Sequence, residues 1–333
     1  MPKESKEKEV TPFAEAIDRI RKKYGNEAIQ SLDDQITANV EAIPTGSIGL
    51  DYAIGIGGIP RGRITEIFGG EAGGKTTLCL HIMANAQKLK GNVAFIDTEH
   101  VFDAKYATAI GVDIPKLQVS QPESAEEALD IMETLVRSGD VTAIVLDSVA
   151  ALIPQAEIDG EMGDSHMGLQ ARIIAQALRK LVSPVSKSNT AIIFTNQIRQ
   201  LFQTSGWGPT ETTPGGRSLK FHASVRLDVR RIAAVKKGDA TTANKVRVRV
   251  AKNKVAPPFK FAEFEICFGK GIDKISEILD LGITTGLIEH GGPMYKFSEE
   301  NKFKGEEAAK KFLEGNIDVQ TKLVEEIYKR MEG

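Results

Sequence analysis

The chain has two cysteines and one tryptophan in 333 residues. Two thiols are too few for a disulfide-stapled scaffold. Cys79 falls in a predicted helix and Cys267 in a predicted strand, where cysteine is expected to be a small buried apolar residue. No apolar run is long enough to span a bilayer. The N-terminus, Met1 to Glu9, is charged and lacks the apolar stretch of a secretory signal, so a cytoplasmic location is expected. Excess charge of one sign is missing too: the net charge is −2, so no global basic field advertises nucleic acid. Internal repeats and low-complexity tracts are absent. What remains is an ordinary globular composition, long enough for one large domain plus one or two small ones.

One run decides the chemistry. Gly69, Gly70, Glu71, Ala72, Gly73, Gly74, Lys75, Thr76 and Thr77 fit the phosphate-loop pattern G-x-x-x-x-G-K-[ST]. Arg63 to Phe68 reads as the strand before it and Thr76 to Leu89 as the helix after it. A strand, a glycine-rich turn and a helix N-terminus in series aim unpaired backbone N–H groups at one point, and the helix dipole favours an anion there. Lys75 is placed to reach β- and γ-phosphates, and the Thr76 hydroxyl to ligate Mg²⁺. A nucleoside triphosphate is the expected ligand.

The surrounding pattern alternates strand and helix. Strands are predicted at Ile64–Phe68, Val93–Thr98, Leu117–Ser120, Ala143–Leu146 and Ala191–Thr195, with helices between them at Ser124–Arg137 and Met167–Ser186. This is an α/β pattern: a mostly parallel central sheet covered on both faces, with ligands at the C-terminal strand ends. Val225–Ile232, Lys245–Ala251 and Phe259–Phe268 are strands without intervening helices, expected to extend the sheet as antiparallel ribbons. Three parts are expected: an N-terminal helical segment over 1–38, the nucleotide-binding core over 39–272, and a small C-terminal α+β domain over 273–333. The N-terminal segment carries a helical stripe of Phe13, Ile17 and Ile20, which must bury itself either on another subunit or on its own core.

Three strand ends carry chemistry. Glu99 follows the strand Val93–Thr98, beside the phosphate loop if the two strands are neighbours. There it can deprotonate a water attacking the γ-phosphate; the alternative is helix capping or Mg²⁺ positioning by Asp97 or Glu99. Asp147 ends an apolar strand in the Walker B form, whose carboxylate holds the Mg²⁺ shell. Gln197 ends the third; its amide either senses the γ-phosphate or caps the strand. The segment Arg199 to Arg217 follows, with Gly206, Gly208, Gly215, Gly216 and Trp207. A stretch this long without regular structure is usually functional or disordered, and its glycines and lone Trp207 suit phosphate and base contacts. A shorter segment, Glu157 to Gly168, is acidic, which argues against simple charge attraction to nucleic acid. Nine Lys and Arg residues crowd Arg230 to Lys254. They are either the solvated faces of strands or a phosphate-facing surface.

The strings Phe-Ile-Asp-Thr-Glu-His, Val-Leu-Asp-Ser-Val-Ala-Ala-Leu, Gly-Asp-Ser-His-Met-Gly, Thr-Asn-Gln-Ile-Arg, Gly-Gly-Arg-Ser-Leu-Lys-Phe and Lys-Asn-Lys-Val-Ala-Pro-Pro-Phe occur in that order. The stretch from about Thr45 to Tyr295 closely resembles the RecA family of bacterial homologous recombinases. The resemblance implies a RecA-type ATPase fold. It also implies an ATP- and Mg²⁺-dependent helical filament on single-stranded DNA that exchanges strands with double-stranded DNA, supports recombinational repair and stimulates self-cleavage of an SOS repressor. By the resemblance, Tyr106 stacks on adenine and Glu99 activates water. Met167 and Arg172 belong to a first DNA-binding loop. Arg199, Trp207, Gly215, Gly216 and Arg217 belong to a second, which Gln197 links to the γ-phosphate. Lys252 and Lys254 resemble lysines that reach ATP across the subunit interface, and Phe221 an interface residue. A hexameric helicase of the same core fold, or a nucleotide-binding filament without turnover, explains these strings less well.

The sequence also departs from the family pattern. Gly70, Ala72 and Gly73 stand where Pro and Ser are usual, which is expected to loosen the phosphate loop. Phe268 replaces a common tyrosine. Leu201 falls where a basic residue is frequent, in a second loop that is one residue longer. The segment Gly25 to Ile29 differs from the usual polymerisation contact. No acidic tail follows the last helix, so less autoinhibition of duplex binding is expected.

Overall fold

The computed structural model describes residues 11–29, 40–164, 166, 168–200, 211–238 and 240–332. Its contacts separate a unit ending at Val40 from one that begins at Glu41. In the first unit, the helix Pro12–Tyr24 starts where Thr11 accepts the Ala14 N–H at 3.3 Å and Pro12 supplies a fixed φ. None of its residues is buried, and Phe13 is 73% exposed, so among the described residues the stripe predicted for this helix is only partly covered, at Ile17 and Ile20.

The second unit begins with a two-stranded ribbon of β1 (Ala42–Ile43) and β2 (Ile59–Pro60). The main sheet has nine strands. It takes β3 (Ile64–Gly69), β4 (Asn92–Asp97), β5 (Leu117–Ser120), β6 (Val141–Asp147) and β7 (Ala191–Gln197). A short ribbon, β8 (Arg199–Gln200) with β9 (Glu211–Thr212), stands apart from it. The sheet then gains β10 (Val225–Lys237), β11 (Ala240–Asn253), β12 (Phe261–Cys267) and β13 (Gly271–Ile272). The order is β13-β12-β11-β10-β3-β7-β6-β4-β5. The run from β10 to β5 is parallel, and β11, β12 and β13 add antiparallel.

Both faces of the parallel part are covered, which is why its strands are almost continuously apolar. On one face Ile67, Val93, Phe95 and Val145 pack against Leu50, Leu78, Ile82 and Met83. On the other, Ile64, Ile96, Leu146 and Phe194 meet Leu129, Met132, Leu178 and Leu181. Helix Ala125–Ser138 shows how local signals set these elements. Ser124 accepts the Glu127 N–H at 3.2 Å, Glu127 accepts the Glu123 N–H at 2.9 Å, and Gly139 ends the helix at φ 76°.

Several expectations need correction. β7 runs past Thr195 and ends at Gln197, as its polar amide end suggested. Thr98 lies outside β4. β10 and β11 run longer than predicted because they pair with each other as far as Lys237 and Ala240, absorbing register shifts on the way. β12 starts at Phe261, not Phe259, because Phe259 sits at φ 74° after two prolines and cannot be extended there. The long helix begins at Leu169 rather than Met167, which lies outside the described residues. Cys79 is buried as expected, but Cys267 is only half-buried.

Near the C-terminus a separate apolar cluster joins Ile278, Leu279, Ile288, Tyr295, Ala309, Leu313 and Ile327 around β14 (Glu289–Gly291), β15 (Met294–Lys296) and β16 (Lys302–Lys304). Two buried carboxylates stand beside it. Glu277 accepts from the Ser47 hydroxyl at 2.5 Å and from the Gly49 and Ile48 N–H groups. Asp51 accepts the Thr45 N–H at 2.7 Å. Burial pushes the Asp51 carboxyl up to about 7, Glu277 adds to the rise, and the Thr45 hydrogen bonds oppose it.

An unfolded aspartate ionises near 4, so the folded state holds the Asp51 proton more tightly. The resulting stability is complete below pH 4 and is lost as pH rises toward 7. Its full loss is on the order of 4 kcal/mol. Asp51→Asn keeps an acceptor for Thr45 and removes the titration. Thermal melts from pH 5 to 8 are expected to fall less steeply for the variant; parallel slopes reject this assignment.

Candidate nucleotide site and DNA-facing loops

The C-terminal ends of β3, β7, β6 and β4 lie side by side, with Gly69 opposite Gln197 and Asp147 opposite Asp97. β3 and β4 are therefore not neighbours, contrary to the condition under which Glu99 stands directly beside the phosphate loop. Glu99 is tied in by side chains instead. Its Oε1 accepts from Ser148 Oγ at 2.8 Å and from Gln197 Nε2 at 3.3 Å. Asp97 points the other way. It is buried and accepts the Phe102 N–H at 3.0 Å and Gln121 Nε2 at 2.9 Å, so it braces the segment that carries Glu99.

The turn itself is shaped by two glycines. A Cβ on Gly69 would stand 2.1 Å from the Val229 carbonyl oxygen, and Gly74 takes φ 96° against Ile266. Gly70 has open space around it, and neither Gly70 nor Gly73 adopts a left-handed φ. The glycine at 70 is thus not required by the shape of the loop, whereas a Cβ on Gly73 would stand 3.1 Å from the Gly70 carbonyl oxygen and 3.3 Å from that of Val229, so glycine eases a tight approach there.

Lys75 Nζ donates to the Gly70 carbonyl at 2.8 Å and to the Gly69 carbonyl at 3.3 Å. Thr76 Oγ1 donates to Asp147 Oδ2 at 2.6 Å, and Thr195 Oγ1 bonds Asp147 Oδ1. Burial dominates both charges, lowering the Lys75 ammonium and raising the Asp147 carboxyl. The Asp147 and Glu99 charges counter it at Lys75, and the Thr195 and Thr76 hydrogen bonds counter it at Asp147. No group of three or more His, Cys, Asp or Glu among the described residues is placed to hold a metal ion by itself. A hydroxyl and one carboxylate beside a phosphate cradle suit Mg²⁺, which takes its remaining ligands from phosphate and water.

A cavity of about 270 Å³ opens beside the turn, lined by Lys75, Thr76, Tyr106, Asn244, Ile266 and Phe268 among others. Tyr106 Oη shares a 2.9 Å hydrogen bond with Thr77 Oγ1, which fixes its ring as one wall. Asn244 Oδ1 is buried with no hydrogen-bond partner among the described residues. Sequence reasoning missed Asn244, as it missed Ser148 and Thr195; each sits in a strand or strand end whose neighbours only the sheet order reveals.

The DNA-facing candidates divide. Met167 and Trp207 lie outside the described residues, as does Leu201. Arg172, Arg199 and Arg217 are exposed. Gly215 and Gly216 take φ 83° and 71°, and a Cβ on either would come within 3.0 Å of Val149 or Ala171. They start the helix Gly216–His222 and let it pack closely, so glycine is required there for shape as well as for any contact its backbone makes with phosphate.

The basic stretch also divides. Arg230 is held by Asp228 and Glu211, and Arg247 by Glu263. Lys252 and Lys254 have no carboxylate partner among the described residues. Lys252 Nζ donates to the Lys220 and Phe221 carbonyls at 2.7 and 3.0 Å, and Lys254 Nζ to Phe221 at 3.3 Å. In the sheet Lys252 pairs with Arg226, which pairs with Glu66, while the Lys254 N–H bonds Ser224, level with the start of β3. These ammonium groups therefore lie at the end of the sheet away from Gly69. Phe221, beside them, is 70% exposed.

No helix of the described residues is long and apolar enough to cross a membrane. Comparison with known proteins agrees with the site. The family model "RecA N-terminal domain" matches residues 11–273, and "RecA C-terminal domain" matches 276–332. A Protein RecA of Rubrobacter xylanophilus is 52% identical over 95% of this chain and 92% of its own length. Those of a Nitratiruptor species and of Caldanaerobacter subterraneus are 53% and 52% identical over similar spans. With a phosphate turn, a Walker carboxylate and a strand-end glutamate meeting at one sheet edge, and two family models together matching nearly its whole length, the chain belongs to the RecA family.

Proposed function

We propose that this chain couples ATP, Mg²⁺ and DNA through sites shared between adjoining copies of itself. As a RecA-family protein it is a DNA-dependent ATPase and a homologous recombinase, and a helicase reading is not favoured. The observation that carries the shared-site reading is the position of Lys252 and Lys254. They are uncompensated cations at the end of the sheet opposite the phosphate turn, so they cannot serve their own chain's nucleotide. A neighbouring chain's phosphates are the fitting anion, in the manner of an arginine finger.

Bound ATP with Mg²⁺ supplies the phosphoanhydride and the divalent charge that polarises it. The rest belongs to the protein. Gly69 to Thr77 cradles phosphate with backbone N–H groups, and Lys75 leaves its loop carbonyls for phosphate oxygens. Thr76 and Asp147 would hold the metal. Tyr106 and Phe268 flank the base, and Asn244, which lines the same cavity, offers an amide to the base edge. Glu99, steadied by Ser148, takes the proton of the attacking water. Gln197 transmits the state of the γ-phosphate to the segment that begins at Arg199. Arg172, Arg199 and Arg217, with Met167 and Trp207, grip single-stranded DNA largely by its backbone, so homology with double-stranded DNA is read by base pairing. Stimulation of SOS repressor self-cleavage and a cytoplasmic location follow on the family's pattern.

The test is ATP turnover with and without single-stranded DNA beside a strand-exchange assay. Turnover is expected to rise on DNA, and a labelled strand to exchange. Equal coating of the strand with no nucleotide, with ADP and with a non-hydrolysable analogue rejects the coupling.

A further inference from the structure

The chemistry above makes no use of a carboxylate at the centre of the sheet. Glu66, in β3, is fully buried three residues before the phosphate turn. Its two oxygens serve two partners: Oε1 accepts from Asn196 Nδ2 at 3.0 Å and Oε2 from Arg226 Nε at 2.5 Å. Each partner continues the network.

On one side, Asn196 Nδ2 also donates to the Pro214 carbonyl at 3.0 Å, and Asn196 Oδ1 accepts the Gln197 N–H at 3.0 Å. Gln197 in turn touches Glu99. This side therefore reaches the γ-phosphate edge and the backbone just before Gly215. On the other side, Arg226 lies 4.3 Å from the centre of the Phe68 ring and is the register partner of Lys252. Lys252 holds the carbonyls of Lys220 and Phe221, while Lys220 Nζ donates to Thr212 Oγ1 at 3.0 Å.

Electrostatics follows the same path. Burial lowers the Lys252 ammonium most, with Lys254 and Arg226 adding to it, and Glu66 acts in the opposite sense. Lys220 is lowered by burial and then by Arg226, again against Glu66. A buried ion pair is weak evidence of a purely stabilising role, because well-packed apolar side chains often serve stability as well.

We propose that Glu66 is a positioning residue that ties the orientation of Gln197 and the return of the second loop to Lys252 and Phe221. DNA and the neighbouring protomer then act on turnover through one connected network. This rests on the shared-site reading above.

The experiment uses full-length protein and measures kcat and KM for ATP with and without single-stranded DNA, beside melting temperature. Asn196→Ala removes the amide and keeps the ion pair. Glu66→Gln combined with Arg226→Met removes both buried charges together, so neither is stranded. Each is expected to lose about tenfold in DNA-stimulated kcat, with nucleotide affinity in the absence of DNA unchanged. Combining all three changes is expected to cost no more than the worse of the two. A double variant that melts like the unmutated chain yet stays uncoupled separates positioning from fold support. Full DNA-stimulated kcat in Asn196→Ala or in the charge-free pair overturns the proposal, as do losses that multiply. If the unmutated protein shows no DNA stimulation, the shared-site reading falls and this inference with it.

Discussion

Glu99→Gln is expected to bind ATP and assemble on single-stranded DNA while losing about 10²- to 10⁴-fold in turnover, the range for removing a positioned general base. The substitution is nearly isosteric. An amide oxygen still accepts from Ser148 Oγ, which stands 2.8 Å from the carboxylate. The phosphate turn, Lys75 and the Thr76–Asp147 pair do not touch residue 99 in the described contacts, so binding is expected to survive. What disappears is the group that takes a proton from water. Filter binding of labelled nucleotide, read beside single-turnover hydrolysis, separates the two. Normal hydrolysis in the variant removes Glu99 from the base role and leaves Asp97 no better placed, since its carboxylate is engaged by Phe102 and Gln121.

The nucleotide turn was legible because its chemistry is local. A run of nine residues between a strand and a helix needs no distant partner to declare itself. The parallel core was legible for a related reason: strands covered on both faces are short and apolar throughout. The order of those strands was not legible. Nothing in the chain near Glu99 reports that β7 and β6 stand between β3 and β4, so its link to Ser148 and Gln197 appears only with the sheet assembled. Glu66 was hidden in the same way. It sits in an apolar strand as a lone acid, and its meaning depends on Asn196 and Arg226, 130 and 160 residues away. The packing demand at Gly215 and Gly216 was hidden too: a glycine pair in a loop suggests backbone contact with ligand, and only the assembled fold adds the closeness of Val149 and Ala171.

Two chains that are each inactive are expected to restore one another. Lys75→Ala removes the phosphate-turn cation and is expected to abolish ATP-dependent assembly. Lys252→Ala with Lys254→Ala leaves the turn intact and removes the two uncompensated ammonium groups at the far end of the sheet. If sites form between copies, the interface is head-to-tail, and a random equimolar mixture gives about one junction in four with both halves intact. DNA-stimulated turnover in the mixture is then expected to reach at most about a quarter of the unmutated rate, because junctions that lack Lys75 assemble poorly, from two preparations that give almost none alone. A mixture as inactive as its components places both halves of the site on one chain. That outcome conflicts with the geometry, because Lys254 is level with the start of β3 while the turn begins at its end. Undiminished turnover in the lysine variant alone argues instead that Lys252 and Lys254 only hold the carbonyls of Lys220 and Phe221. Both results are read from the same three samples, so the shared site stands or falls on one set of rates.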